Sequence, residues 1–345
     1  MTVGRAFIAH SLIAIGLSLP NVHAAEQSAT SFGKSAGSPA QPVSKGPAYP
    51  TRPIRFVIPF VPGGSADLFA RVLAPDLSEA LGQQVVIDNR GGAGGTIGAE
   101  LAARAAPDGY TIVIATANMA VNVSLYTKWP VNPAKDFEAV SLLGSAPNLV
   151  AVNPSVPVKS IKELIALAKA KPGQIRYASG GSGSTPHLAA ELFKTMADVD
   201  LLHIPYKGTG PALVAVLSGE SSVIFPPASV GLPHDRTGKM RALAISSRGR
   251  FEAAPNLITV SEAGVPGYEA SQWYGVMVPA GTPQAIITRL NRDLVRIVQN
   301  VDFKTRMLAQ ATMLSGTTPD EFATYMKNEI AKWAKVVKLS GVRVE

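Results

Sequence analysis

The chain has 345 residues, 46% of them hydrophobic, and a formal net charge of +8. It contains no cysteine, which excludes disulfides, thiolate metal sites, cysteine nucleophiles and a lipid-modified cysteine anchor. The length predicts about two domains, and because the lysines and arginines are dispersed without a nucleic-acid-binding motif, we predict no nucleic-acid partner.

The N-terminal segment, residues 1–24, predicts a secretory signal peptide. Arg5 precedes a mostly apolar stretch at residues 6–19, and Val22 and Ala24 suit the −3 and −1 positions of a cleavage site. The apolar stretch is too short for a transmembrane helix, which needs about 20 residues. We therefore predict cleavage after Ala24 and export into the periplasm.

Residues 25–48 are rich in Ser, Ala, Gly, Pro and Gln and predict a flexible linker. The folded body begins near residue 49 and alternates short apolar runs with segments of helical periodicity. Strands are predicted at residues 54–60, 85–87, 111–116, 175–179, 201–206, 223–225, 242–246 and 275–278. Helices are predicted at residues 66–81, 97–105, 161–170 and 185–196, and two long ones follow Pro283 and Pro319. This alternation predicts an α/β fold with parallel sheets between helices.

Two strand–loop–helix units resemble each other in their glycine-rich turns. The first turn reads Pro-Gly-Gly-Ser at residues 62–65, and the second reads Gly-Gly-Ser-Gly-Ser at residues 180–184. Such turns lie beyond the carboxyl ends of parallel strands and lead into helix N-termini, which carry free N–H groups and a partial positive charge. Glycine permits close approach to an anion, and serine adds a hydroxyl donor. We predict that the two turns face each other across a cleft and bind a carboxylate ligand.

Three features near these turns leave alternatives open. Asp67 either caps its own helix or bonds a water or a ligand ammonium group. His187 either donates to a ligand oxygen or has a structural role. The net positive charge either steers anions towards the cleft or only aids solubility.

The sequence offers little for an enzyme. Residues 92–98 depart from the spacing of a dinucleotide-binding fingerprint, and residues 180–184 lack the last glycine of a nucleophile elbow. His187, His203 and His234 have no close metal-ligand spacing. We predict no cofactor, no metal and no catalysis, and an exported hydrolase is the enzymatic alternative.

Several motifs between residues 49 and 345 resemble those of one known family. They are Tyr49-Pro50, Arg52-Pro53-Ile54-Arg55, Pro59-Phe60-Val61-Pro62-Gly63-Gly64 with Asp67, Leu81-Gly82-Gln83, Asn89-Arg90, Gly92-Ala93-Gly94-Gly95, Pro107-Asp108-Gly109-Tyr110-Thr111, Tyr177-Ala178-Ser179, His187-Leu188-Ala189, His203-Ile204-Pro205-Tyr206-Lys207-Gly208, Glu262-Ala263-Gly264, Trp273 and Pro279-Ala280-Gly281-Thr282-Pro283. They are similar to the motifs of the Bug-type receptors, the periplasmic substrate-binding proteins of tripartite tricarboxylate transporters.

The resemblance implies a two-lobed periplasmic-binding-protein (Venus flytrap) fold, with a mainly parallel sheet and flanking helices in each lobe. It implies capture of a di- or tricarboxylate, an acidic amino acid or an aromatic carboxylate, held largely through backbone amides and waters. The implied partners are the membrane subunits of such a transporter, with a membrane sensor kinase as the alternative. The implied ligand-binding residues are Phe60, Pro62, Gly63, Gly64, Ser65 and Asp67 in the first turn, and Ser179, Gly181, Ser182, Gly183, Ser184 and His187 in the second.

We expect lobe 1 to contain residues 49–149 and 276–345, and lobe 2 to contain residues 150–275. The chain would then cross between the lobes near residues 148–152 and 273–278. A monomer is the expected oligomeric state.

Overall fold

The computed structural model describes residues 49–342, so the predicted signal peptide and linker lie outside the described residues. Within this range the chain alternates strands and helices, as predicted. The strands are β1 (Ile54–Ile58), β2 (Val85–Asn89), β3 (Thr111–Thr116), β4 (Phe137–Pro147), β5 (Leu149–Val152), β6 (Arg176–Ser179), β7 (Leu202–Pro205), β8 (Val223–Ile224), β9 (Arg241–Ile245), β10 (Ser271–Pro279) and β11 (Met313–Leu314). The helices are α1 (Ser65–Leu81), α2 (Thr96–Ala103), α3 (Ala117–Leu125), α4 (Ile161–Ala170), α5 (Thr185–Ala197), α6 (Thr209–Leu217), α7 (Ala228–Arg236), α8 (Gln284–Gln299), α9 (Val301–Leu308) and α10 (Pro319–Ser340).

The strands form two sheets, one in each lobe. The first sheet has the order β11-β4-β10-β3-β1-β2, and the second has the order β7-β6-β8-β5-β9. Helices cover both sheets, with α1 and α8 on the first and α6 and α7 on the second. The two-lobed α/β fold is therefore confirmed.

The expectation of mainly parallel sheets is corrected, because each sheet is mixed. In the first sheet β1 is parallel to β2 and β3, whereas β10 is antiparallel to β3 and β4, and β11 to β4. In the second, β6 is parallel to β7 and β8, whereas β5 is antiparallel to β8 and β9. The antiparallel strands include β4, β5 and β10, which lie next to the chain crossings. They do not belong to the strand–helix–strand units β1-α1-β2 and β6-α5-β7, in which the two strands pair in parallel.

The chain passes between the sheets at Asn148 and between Ser246 and Ser271. Asn148 is buried, its backbone N–H donates to Ser246 Oγ (2.7 Å), and its side-chain amide donates to Ala270 O (2.9 Å). The Ser246 hydroxyl also donates to Ala270 O (2.9 Å). These buried bonds tie the two crossings together. The expected second crossing near residues 273–278 is corrected, because those residues lie inside β10 of the first sheet and the chain returns to that sheet before Ser271.

The core of lobe 1 forms where α1 and α8 cover the first sheet. Phe69 of α1 stacks on Tyr274 of β10 with ring centroids 4.7 Å apart, and Leu73 and Leu290 are fully buried beside them. On the other face α10 covers β4 and α3, and Glu329 accepts hydrogen bonds from the indole N–H groups of Trp273 and Trp333. Burial of these apolar side chains fixes α1, and thereby the turn at its start.

No helix among residues 49–342 is both long and apolar enough to cross a membrane.

Candidate functional site

A cleft of about 640 Å³ lies between the two lobes. The N-terminal first turns of five helices from both lobes face it. Each of these helices contributes one polar residue to the lining: Ser65 of α1, Asn118 of α3, Thr185 of α5, Thr209 of α6 and Ser229 of α7. Because each helix N-terminus carries free N–H groups and a partial positive charge, the cleft attracts negative charge.

The cleft lining among the described residues contains no Lys, Arg, His, Asp or Glu side chain. Its floor comes from the first sheet and includes Gln272 and Tyr274, and Phe60, Leu68 and Pro186 add apolar surface. Recognition of an anion in this cleft therefore depends on helix termini, backbone N–H groups and neutral polar side chains. Such donors are fixed in place and do not titrate near neutral pH.

The turn before α1 is held by Asp67. The Asp67 side chain is buried, and its Oδ2 accepts hydrogen bonds from the backbone N–H of Gly63 (2.8 Å) and from Arg71 Nε (2.8 Å). Its Oδ1 accepts from Asn89 Nδ2 (3.0 Å). Burial alone would raise the pKa of Asp67, but the hydrogen bonds from Arg71, Gly63 and Asn89 outweigh burial and lower it. Asp67 is thus an ionised anchor for a turn in which Gly63 has φ of 85°.

The turn before α5 is held in the same way by His187. The buried His187 Nδ1 accepts from the backbone N–H of Gly183 (3.1 Å), and Gly183 has φ of 78°. In both lobes a glycine of the turn has a left-handed backbone conformation, and its backbone N–H donates to the side chain four residues further along. The similarity between the two turns therefore extends to an equivalent side-chain contact, made by a carboxylate in lobe 1 and an imidazole in lobe 2.

His187 belongs to a buried stack of rings beneath the second turn. It stacks on His203 with ring centroids 4.2 Å apart, and His203 stacks on Tyr177 at 4.8 Å. Burial, together with repulsion from His203, lowers the pKa of His187 to about 4. His187 is therefore neutral near pH 7, with its proton on Nε2 because Nδ1 acts as the acceptor.

Acidification is expected to destabilise the protein between about pH 6.5 and pH 4. The pKa of His187 is 6.5 without these surroundings and about 4 in the folded protein. The unfolded state then binds more protons in this interval, so the free energy of unfolding falls as the pH falls. The contribution of His187 reaches about 3 kcal/mol near pH 4.

Urea unfolding at about pH 7.5 and about pH 4.5 measures this effect. His187→Gln should lose less stability than the wild type between the two pH values, because glutamine does not titrate. His234→Gln, which alters a histidine of α7 outside the stack, serves as the control and should keep the wild-type difference. Equal losses in the wild type and His187→Gln would contradict the prediction.

The structure places the twelve predicted ligand-binding residues in two groups. Four of them line the cleft: Phe60, Gly64, Ser65 and Ser184. The other eight surround the two turns without lining the cleft: Pro62, Gly63, Asp67, Ser179, Gly181, Ser182, Gly183 and His187. In this second group, Ser179 is buried with its Oγ 2.6 Å from His203 Nε2, whereas Ser182 is exposed.

Sequence reasoning missed the cleft residues that lie outside the two turns. Asn118 and Ser229 lie in the first turns of helices that were not predicted, Thr209 begins α6, and Gln272 precedes the predicted start of its strand. Tyr274 also lines the cleft, and burial raises its pKa while a hydrogen bond with Ser65 opposes that shift. A weak signal existed for α6, because Gly208-Thr209-Gly210-Pro211 resembles a helix start with an early proline.

The glycine-rich turn at residues 92–98 is not part of the cleft lining. A Cβ at Gly98 would lie 2.6 Å from Pro59 Cα and 2.7 Å from Arg90 O, so this glycine allows α2 to approach the end of β1. The close packing of α2 against the end of β1 therefore explains why residue 98 is a glycine.

Residues 69–342 match the family described as "Tripartite tricarboxylate transporter family receptor". The chain belongs to that family. It is 40% identical to the protein BugT of Bordetella pertussis over 308 residues, which is 89% of this chain and 94% of BugT.

Two solved structures are also similar to the chain over most of its length. The adipate complex of Rpa4515 from R. palustris is 36% identical, has a TM-score of 0.71, and covers 86% of this chain and 99% of its own. MatC from Rhodopseudomonas palustris, with bound malate, is 32% identical with a TM-score of 0.68, over 84% of this chain and 100% of its own. The family consists of periplasmic solute-binding receptors, and the chain is a receptor of this kind and not an enzyme.

Proposed function

We propose that this receptor captures a small carboxylate in the cleft between its lobes. The observation that carries the proposal is the convergence of five helix N-termini on a cleft whose described lining has no ionisable side chain other than Tyr274. Partial positive charge, with no carboxylate in the described lining, favours an anionic ligand. Two similar receptors whose structures contain adipate and malate support the same class of ligand.

The turns at residues 62–65 and 180–184 are proposed to clamp the ligand from opposite lobes. Phe60, Gly64, Ser65 and Ser184 reach the cleft directly, and the residues beneath the turns hold the backbone in place. Each helix terminus stabilises an anion by about 0.3–2 kcal/mol, whereas micromolar affinity needs about 8 kcal/mol. Charge-assisted hydrogen bonds and exclusion of water as the lobes close supply the difference.

The cellular role follows from the family and from the N-terminal segment. We propose that residues 1–24 direct export and that residues 25–48 link the signal peptide to a monomeric receptor, in which lobe 1 carries the first sheet and lobe 2 carries the second. The loaded receptor would deliver its ligand to the membrane subunits of a tripartite tricarboxylate-type transporter. Capture of those subunits from membrane extract only in the presence of ligand supports delivery, whereas capture of a sensor kinase alone would replace it with sensing.

A thermal-shift screen of the refolded mature protein tests carboxylate capture. The panel contains C3–C6 dicarboxylates, citrate, acidic amino acids and aromatic carboxylates, with sugars and neutral amino acids as controls. A ligand at 100 times its Kd adds about 2.7 kcal/mol to the free energy of unfolding, so at least one carboxylate class should raise Tm clearly. Stabilisation by a sugar or a neutral amino acid, with none by any carboxylate, would refute the proposed function.

A further inference from the structure

One side chain on the floor of the cleft differs from the other polar side chains there. The Gln272 side-chain amide oxygen, Oε1, is shielded from solvent and has no hydrogen-bond partner among the residues that the structure describes. A shielded amide oxygen without a partner lowers the stability of the folded protein. Such a group in a ligand cleft is explained when the ligand itself supplies the hydrogen-bond donor.

The strand register places Gln272 on the cleft side of the first sheet. Gln272 pairs with Ala146 of β4, and Tyr274 follows it by two residues on the same face of β10. Ala146, Tyr274 and the nearby Gln310 all line the cleft together with Gln272. The amide is therefore presented by a central strand, with its backbone fixed by β4, and not by a mobile loop.

Two other polar side chains of the cleft already have protein partners. The Asn148 amide donates to Ala270 O (2.9 Å), and the Ser184 hydroxyl donates to Gly181 O (2.7 Å). Gln272 is thus the cleft side chain with a shielded acceptor left for a ligand, within the part of the chain that the structure describes.

We propose that Gln272 is a specificity-determining residue whose Oε1 accepts a hydrogen bond from a neutral donor, an amide N–H or a hydroxyl, on the part of the ligand remote from its clamped carboxylate. The absence of Lys, Arg and His from the described cleft lining agrees with a neutral group at this end. A methyl ketone in the same place would offer Oε1 a methyl group without a donor, and a second carboxylate would set an oxygen against it. The inference rests on the proposed function, since it takes carboxylate capture as given.

Two sets of probes of matched shape test the assignment. The flexible set is adipic acid monoamide, 6-oxoheptanoate and adipate, and the rigid set is 4-carbamoylbenzoate, 4-acetylbenzoate and terephthalate. Within each set the remote group is an amide, a methyl ketone or a carboxylate of nearly the same size. Calorimetric titration compares the wild type with Gln272→Leu and with Gln284→Leu, the control on an exposed glutamine of α8 outside the cleft.

The wild type should bind the amide of at least one set about tenfold more tightly than its ketone, the value of one good hydrogen bond. Gln272→Leu should erase that preference and leave the ketone within about threefold of its wild-type affinity, whereas Gln284→Leu should keep the preference. An amide preference that survives Gln272→Leu would overturn the inference.

Two other results also overturn it. If Gln272→Leu weakens only the dicarboxylates, the amide nitrogen of Gln272 reads the ligand and Oε1 does not. If no probe binds while other carboxylates stabilise the protein in the thermal-shift screen, the ligand class assigned here is wrong and carboxylate capture still stands. Failure of every carboxylate in that screen would instead remove the proposed function itself.

Discussion

Asp67→Ala is expected to lower the free energy of unfolding by about 3 kcal/mol and to weaken carboxylate binding about tenfold or more. The buried carboxylate accepts hydrogen bonds from Gly63, Arg71 and Asn89. Its removal leaves a backbone N–H and a side-chain amide without their acceptor, at about 1–3 kcal/mol each. Carboxylate affinity falls because Asp67 holds the turn at Gly63, and this turn places the start of α1 at the cleft.

Urea unfolding and titration with the most stabilising panel carboxylate measure the two effects. The pKa of Asp67 is lowered in the folded protein, so its contribution is present above the ordinary aspartate value of 3.8 and is lost as the pH falls through the folded value. The stability gap between wild type and variant should therefore be full at pH 7 and shrink under strong acid. Asp320→Ala, which removes an exposed acid from the first turn of α10, is the control and should cost less than about 1 kcal/mol. Equal costs for both variants would show that Asp67 does not anchor the turn.

Gly64→Val is expected to reduce carboxylate affinity by about 10- to 100-fold with little change in fold. Gly64 lines the cleft as the residue before α1, and a Cβ there would contact only Val61 O at 3.7 Å. The isopropyl group therefore finds space, but that space is the cleft, next to the N–H groups at the start of α1. Crowding of a close contact costs about 1–3 kcal/mol, which sets the range of the affinity loss.

Calorimetric titration with the same carboxylate gives the affinity, and circular dichroism and Tm report on the fold. Gly249→Val is the matched control, because Gly249 is exposed, has no atom within 4 Å of a Cβ and lies outside the cleft lining. It should bind like the wild type. Wild-type affinity in Gly64→Val would mean that the ligand does not approach the start of α1.

The strand–helix repeats of both lobes could be predicted, because their signals are local. β3 occupies residues 111–116 as predicted, and α4 begins at the expected residue after Ser160, whose side chain accepts from the Glu163 backbone N–H. α1 and α5 begin at residues 65 and 185, within one residue of the predicted starts. Periodic apolar residues and cap residues are enough to locate such elements.

The elements near the crossings could not be predicted in the same way. β4 contains Gly144 and ends at Pro147, and α7 contains Gly231 and Pro233, so local propensity argues against both. They form because tertiary burial outweighs propensity: Val140 and Leu143 of β4 are fully buried between neighbouring strands and helices. A Cβ at Gly231 would lie 2.6 Å from Leu149 Cδ1, which shows a close contact that only the folded chain reveals.

The same limit applies to the cleft. The two glycine-rich turns could be located from their composition and from the strand–loop–helix pattern. The sequence left the roles of Asp67 and His187 open. The structure shows that each side chain accepts a hydrogen bond from the backbone N–H of a turn glycine, Gly63 or Gly183. Gln272 lies more than 200 residues from the first turn along the chain, and a lone glutamine in a strand has no signature that marks it as part of a binding site.

The hydrogen bonds at the two crossings limit how the lobes can move. Asn148 and Ser246 both donate to the same carbonyl oxygen, that of Ala270, and the Asn148 side chain forms part of the cleft floor. Two connections bonded side by side allow bending about one axis but resist sliding or counter-rotation of the lobes. The cleft would then open by a hinge at Asn148. The cleft floor would stay nearly still while the helix termini of lobe 2 move away from it. A solute released by this movement leaves along the edge opposite the hinge, and its route out is the reverse of its route in.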